Sequence, residues 1–130
     1  MAQKRVISSA QAPKAIGPYS QAIQVGDFLF CAGQGNLDPQ TGQLVGGDTA
    51  TKTRRVLDNL MAVLKEAGFS AADVVKTTVF LKDINDFAAM NEVYATYFPK
   101  DPPARSTVQA ARLPRDADIE IELIAHRSSR

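Results

Sequence analysis

The sequence predicts an α+β domain in which two helices pack on one face of a β-sheet. Three observations predict it. Strand-like runs open and close the chain, two amphipathic helical segments flank a further strand-like run between them, and 130 residues suffice for one core without disulfide or metal staples. Two helices of this size cover one sheet face only. No repeat, linker or low-complexity stretch divides the chain, so residues 1–130 are read as a single domain.

The first strand-like segments are Lys4 to Ser8, Tyr19 to Val25 and Phe28 to Ala32, each rich in β-branched or aromatic residues. Gly26-Asp27 joins the last two as a hairpin. Asp38-Pro39-Gln40-Thr41-Gly42 marks a turn. From Asp48 to Ala67, Leu57, Leu60, Met61 and Leu64 recur at helical spacing, with Asp48 as N-cap and Gly68 as stop. Val74 to Leu81 reads as a strand. A second helix begins near Asn85 or Asp86, carries Phe87, Met90, Asn91, Tyr94, Tyr97 and Phe98, and ends at Pro99. Its aromatic stripe reads as core packing.

Two strands close the chain, Ala104 to Ala111 and Asp118 to His126, and a hairpin centred on Arg112 to Ala117 would pair them. That register sets Arg105 opposite Ile124 and Gln109 opposite Glu120, leaving Arg105 and Glu120 four residues out of step. Asp118, Glu120 and Glu122 alternate with Ile119, Ile121 and Leu123, so one face is apolar and the other acidic. In the preceding strand Arg105, Thr107 and Gln109 alternate with Ser106, Val108 and Ala110, and Arg105 is expected to share the uncovered face with the carboxylates. As a solvated face these would form surface ion pairs worth ~0 to 1 kcal/mol each. As a site, the arginine fork would grip a carboxylate while a glutamate orients water or moves a proton.

Composition narrows the chemistry further. Fifteen Lys+Arg against fourteen Asp+Glu leave a net charge of +1, without an electrostatic footprint for nucleic acid. The basic clusters Lys52, Arg54, Arg55 and Arg112, Arg115, Arg127, Arg130 are interleaved with acids and read as solvated surface. One cysteine and one histidine exclude an internal disulfide and a Cys/His zinc site. His126 has no nucleophile beside it in sequence. Cys31, inside an apolar run, reads as a buried structural thiol. Gly33-Gln34-Gly35 lacks the residues of a phosphate loop, and Gly33 reads as a bulge or a point of close backbone approach whose N–H could bind a ligand oxygen. No secretory leader or membrane-length apolar run is seen, and a reducing, cytoplasmic location is expected.

Taken as a set, Ile16-Gly17-Pro18-Tyr19-Ser20-Gln21-Ala22, Ala32-Gly33-Gln34, Lys82-Asp83-Ile84-Asn85-Asp86-Phe87, Met90-Asn91-Glu92-Val93-Tyr94, Pro103-Ala104-Arg105-Ser106-Thr107-Val108, Ala111-Arg112-Leu113-Pro114 and Ile119-Glu120-Ile121-Glu122 resemble the RidA/YjgF/L-PSP family, in its order, from about residue 13 to 126. The resemblance implies a chorismate-mutase-like fold, a variant of the ferredoxin-like arrangement with a mixed sheet, assembled as a homotrimer with ligand sites between subunits. It implies a cofactor-free, metal-free hydrolase (a 2-iminobutanoate/2-iminopropanoate deaminase) that converts reactive 2-imino and 2-enamino acids from pyridoxal-phosphate dehydratases to 2-oxo acids and ammonia. Arg105 would clamp the substrate carboxylate and Glu120 would position water, with Tyr19, Gly33, Asn91 and Thr107 lining the cleft. The family often carries cysteine where this chain has Thr107, so thiol chemistry there is not expected. Two alternatives stay open: an RNA-cleaving translation inhibitor, and a non-catalytic sensor of 2-oxo acids.

Overall fold

The computed structural model describes residues 3–127; Met1, Ala2 and the Arg130 of the second basic cluster lie outside them. Six strands form one sheet: β1 (Arg5–Ile7), β2 (Ala22–Val25), β3 (Phe28–Gly35), β4 (Val74–Leu81), β5 (Ala104–Gln109) and β6 (Ile119–His126), in the order β1-β2-β3-β6-β4-β5. All neighbours are antiparallel except β4 and β5, which makes the sheet mixed. Helices α1 (Thr49–Glu66) and α2 (Phe87–Tyr97) pack together on one face, as the element order implied.

Local chemistry places these elements. The Asp48 carboxylate accepts from Thr51 N at 2.8 Å and Thr51 Oγ1 at 2.7 Å, capping α1 at its expected start. Val56, Leu57, Leu60, Val63 and Leu64 of α1 are at most 1% exposed, against β3, β6 and α2. At ~1.5–3 kcal/mol for each fully buried aliphatic side chain, this stripe is a main source of stability. One turn of 3₁₀ helix (Ile84–Asp86) leads into α2, whose Tyr94 Oη lies 2.7 Å from the buried Thr77 Oγ1 of β4. Burial raises the Tyr94 phenol above its ordinary value, an effect that exceeds the opposing Thr77 hydrogen bond and the charge of Arg105. The strand starting at Tyr19 is shorter than expected, opening at Ala22, and β3 runs three residues further, to Gly35.

The expected hairpin of the last two strands does not form. β4 lies between them: Thr77 pairs with both Arg105 and Leu123, and Phe80 with both Val108 and Glu120. The reason is the crossover through α2, which brings β5 back alongside β4 in the same direction and leaves it at the sheet edge. The chain then turns through Pro114–Asp116, where Arg115 and Asp116 take left-handed φ of 62° and 58°, and enters β6 on the other side of β4.

Strand alternation therefore divides the side chains differently from the expectation. Ile119, Ile121, Leu123 and Ala125 face the helices. Glu120 and Glu122 lie on the open face with Phe28, Phe30, Ile124 and Val108, whereas Arg105 and Thr107 share the helix-side face with Thr77 and Val79. Arg105 does not share the uncovered face with the carboxylates. Asp118 also leaves that face: its carboxylate accepts from Asn36 Nδ2 at 3.2 Å and pairs with Lys52 Nζ at 3.2 Å. Among the described residues no helix is long and apolar enough to cross a membrane.

Candidate functional site

Two groups of candidate residues emerge, one on each side of the sheet. The first surrounds Gly33. Between Cys31 and Gln34 the pairing of β3 with β6 slips by one residue, so Cys31 pairs with Leu123 and Gln34 with Ile121. This bulge is the one anticipated at Gly33. It brings the Gly33 backbone beneath Glu120: a Cβ placed there would stand 2.8 Å from Glu120 Cδ and 3.0 Å from Cγ. Only glycine leaves room for the carboxylate.

A cleft of about 420 Å³ opens beside them, lined by Tyr19, Ile16, Gly33, Pro114, Arg115 and Glu120 among others. Its wall is the segment 13–19, held from behind by the buried amide of Gln21. Gln21 Oε1 accepts from Ser9 N at 2.7 Å, and Nε2 donates to Ser9 O at 3.2 Å and Pro13 O at 2.9 Å. The Tyr19 hydroxyl accepts from Ile16 N at 3.3 Å, closing the same segment on itself. Glu120 makes no hydrogen bond or ion pair among the described residues. Burial raises its carboxyl above the ordinary glutamate range, and the charge of Glu122 adds to the shift.

The second group gathers at the rim formed by β5 and α2. Its hollow of about 470 Å³ is lined by Asn91, Tyr94, Phe98, Pro102, Pro103 and Arg105, with Ala95. The Arg105 guanidinium lies over two rings, 4.8 Å from the centroid of Tyr94 and 5.4 Å from that of Phe87. No carboxylate of the described residues pairs with it. Nearby, Asn91 Oδ1 and Thr107 Oγ1 are both buried without a hydrogen-bond partner among the described residues. A cation held by aromatic faces, with two unsatisfied oxygens close by in the fold, is suited to an anion that brings its own hydrogen-bond donors.

The structure thus unites Tyr19, Gly33 and Glu120 in one cleft and Arg105 with Asn91 in another, whereas Thr107, two residues beyond Arg105 on the same face of β5, does not line that hollow. It does not unite Arg105 with Glu120 in one chain. They lie on opposite faces, roughly 10 Å apart along the strands and a further ~10 Å across two strand spacings. Sequence reasoning missed the cradle made by Phe87 and Tyr94, because an aromatic stripe at helical spacing also describes a core. Met90, Tyr94 and Phe98 are indeed buried, but Phe87 is 37% exposed. Lys14 and Arg115 at the first cleft were also missed, since nothing in a basic residue's identity says which hollow it borders. Cys31 is buried as expected, its thiol pushed up to about 12 by burial and so inert. Among the described residues no group of histidine, cysteine and carboxylate side chains could hold a metal.

Comparison with known proteins adds the relatives. Residues 9–127 match the family described as endoribonuclease L-PSP. A RutC family protein of Pyrococcus horikoshii is 58% identical over 124 residues, 95% of this chain and 98% of that one. The human 2-iminobutanoate/2-iminopropanoate deaminase is 50% identical over 122 residues, 94% of this chain and 89% of that one. Among solved structures, Escherichia coli TdcF with bound serine superposes with a TM-score of 0.91 at 45% identity, covering 95% of this chain and 99% of that one. With this coverage, and with the bulged glycine, edge-strand arginine and mixed sheet in place, the chain belongs to the RidA/YjgF/L-PSP family.

Proposed function

We propose that the chain hydrolyses 2-imino acids, and the 2-enamino acids that tautomerise to them, to 2-oxo acids and ammonia, in clefts between the copies of a homotrimer. The observation that carries this reading is the pair of incomplete half-sites: an arginine without a carboxylate on one face, and a half-buried glutamate without a cation on the other. A second copy of the chain can bring the Arg105 rim of one protomer to the Glu120 cleft of its neighbour. The open face supports such an assembly, because Phe28, Phe30 and Val108 are each 44–46% exposed there, an apolar surface that a monomer would leave in water. The name of the human relative supports the reaction, and the serine held by TdcF supports a ligand carrying a carboxylate beside an amino group.

In the proposed reaction Arg105 holds the carboxylate, with Asn91 and Thr107 flanking it. The imine carbon is already electrophilic, so positioning and proton transfer supply most of the catalysis and no covalent nucleophile is needed. A water oriented by Glu120 attacks C2 of the protonated imine; the new C–O bond forms as the C=N π electrons move to nitrogen and a water proton passes to Glu120. That proton is returned to the amino group of the tetrahedral adduct. The C–N bond breaks, ammonia leaves with its electron pair, and the Glu120 carboxylate takes the hydroxyl proton to give the 2-oxo acid. Burial suits Glu120 to this work by making its carboxylate more basic.

The test is a threonine dehydratase reaction in which semicarbazide competes for the imine. Wild type is expected to accelerate 2-oxobutanoate release and suppress semicarbazone, and Arg105→Ala to abolish the effect. No acceleration by wild type, or an undiminished effect in Arg105→Ala, would sink the proposal. Tight 2-oxo-acid binding without turnover would instead identify a sensor.

A further inference from the structure

We infer that the Glu120 cleft continues outward into an anion subsite formed by Lys14 and Arg115, which takes a second carboxylate and extends the substrate class to 2-imino dicarboxylic acids. This deepens the proposed hydrolase reading and rests on it. Beside the main cleft lies a second hollow of about 270 Å³, reaching toward the turn at Pro39–Gly42. The two share one wall, made of Pro13, Lys14, Ile16, Leu37 and Arg115. Among the described residues, the only charged ones lining the outer hollow are Lys14 and Arg115.

Three features make this more than a basic rim. The neighbouring acids are already engaged: Asp116 accepts from Arg112 Nε at 2.7 Å, Asp118 pairs with Lys52, and Asp38 Oδ1 accepts from Gln40 N at 2.7 Å and Thr41 N at 3.1 Å. Neither Lys14 nor Arg115 has an ion-pair partner among the described residues. Arg115 is also held in place, since one terminal nitrogen donates to Gly42 O at 2.8 Å while its other guanidinium donors have no partner among the described residues. Finally, Arg115 occupies the left-handed region at φ 62°, a conformation that a non-glycine residue adopts at a cost and that is concentrated at ligand sites. A substrate whose α-carboxylate is gripped by Arg105 would extend its side chain from the reacting carbon along the cleft. A side chain ending in carboxylate would meet the two cations.

The test uses acids of matched length. Binding of 2-oxoglutarate and 2-oxopentanoate to the wild-type protein is measured by calorimetry at low salt, alongside hydrolysis of the imines that amino-acid oxidases generate from glutamate and norvaline. The dicarboxylate is expected to bind about tenfold tighter, and Arg115→Gly, which suits the left-handed backbone, to reduce that preference to within twofold. Arg115→Lys should retain part of it, and Lys14→Ala should lower it severalfold; circular dichroism checks that each variant is folded. The kcat/KM ratio of the two imines should follow the same order. Equal wild-type affinity for the two acids, or a preference unchanged in both Arg115→Gly and Lys14→Ala, overturns the subsite. If neither imine is hydrolysed, the hydrolase reading falls, and the binding measurements still decide the subsite.

Discussion

The contact between Gly33 and Glu120 sets up a sharp separation of activity from stability. In Gly33→Ala the added methyl would stand 2.8 Å from Glu120 Cδ, about 1 Å inside an ordinary carbon–carbon contact, so the carboxylate has to move. Glu120 is the far end of a flexible side chain on the open face. It can rotate away at a cost well below the ~1–3 kcal/mol of overpacking a closed core. The Gly33 backbone is not in the left-handed region, so alanine adds no strain there. Stability should therefore change by less than about 1 kcal/mol. Displacing a catalytic group by ~1 Å costs on the order of 10²-fold, so with Glu120 in its proposed role kcat/KM for imine hydrolysis should fall by about that factor. The semicarbazide-competition assay measures the rate and urea denaturation the stability. In a Glu120→Ala background the alanine at 33 should do little more, because the displaced group is already gone. Gly33→Ala activity within twofold of wild type, or equal losses from Gly33→Ala in both backgrounds, would refute the reasoning.

Other expectations follow from the same geometry. Because burial first, and the Glu122 charge second, raise the Glu120 carboxyl, the acidic limb of kcat/KM should lie above the ordinary glutamate value; the folded state also holds that proton more tightly than the unfolded chain, so this contribution to stability is complete at low pH and is lost as pH rises through the raised value. Glu120→Gln should accordingly melt no lower than wild type at neutral pH and lose any advantage in acid, as a thermal scan at several pH values will show. Gln21→Leu removes the amide that holds Ser9 and Pro13, leaving buried backbone groups without partners; we expect a loss of ~2–4 kcal/mol in denaturation, and a KM raised more than kcat is lowered because the 13–19 wall loosens. Thr107→Ala should keep most of the hydrolytic rate, since water is the nucleophile in the proposed reaction, and iodoacetamide should leave wild-type activity unchanged because the chain's one thiol, Cys31, is buried.

Much of this was legible before any coordinate, for physical reasons that differ by element. α1 could be read because its cap and apolar stripe are local: Asp48 and Leu57, Leu60 and Leu64 lie within a few turns of one another. Gly33 could be singled out because an isolated glycine at the end of an apolar strand has few bland uses. The pairing of β5 with β6 could not, because adjacency in sequence favours a hairpin, whereas β4, placed by the crossover through α2, occupies the position between them. From that one displacement came the wrong face for Arg105. Its alternation with Ser106 was correct, but alternation says which residues lie together and not which face the helices cover. Tyr94 was legible as core and illegible as a cradle, since it serves both: its hydroxyl meets Thr77 inside the fold while its ring lies under Arg105.

The edge position of β5 explains why separating the two charged groups is useful. Had Arg105 stood on the open face in line with Glu120, the two would neutralise one another, and a substrate carboxylate would compete with an internal one. Instead, Arg105 is balanced by aromatic faces, which hold a cation without satisfying its hydrogen-bond donors, and Glu120 is kept basic by burial over a glycine. Each group remains in the state the proposed reaction requires. On the proposed reaction, the two charges meet only where one protomer's rim closes on its neighbour's cleft. Exclusion of water by that closure would strengthen the grip on the substrate carboxylate.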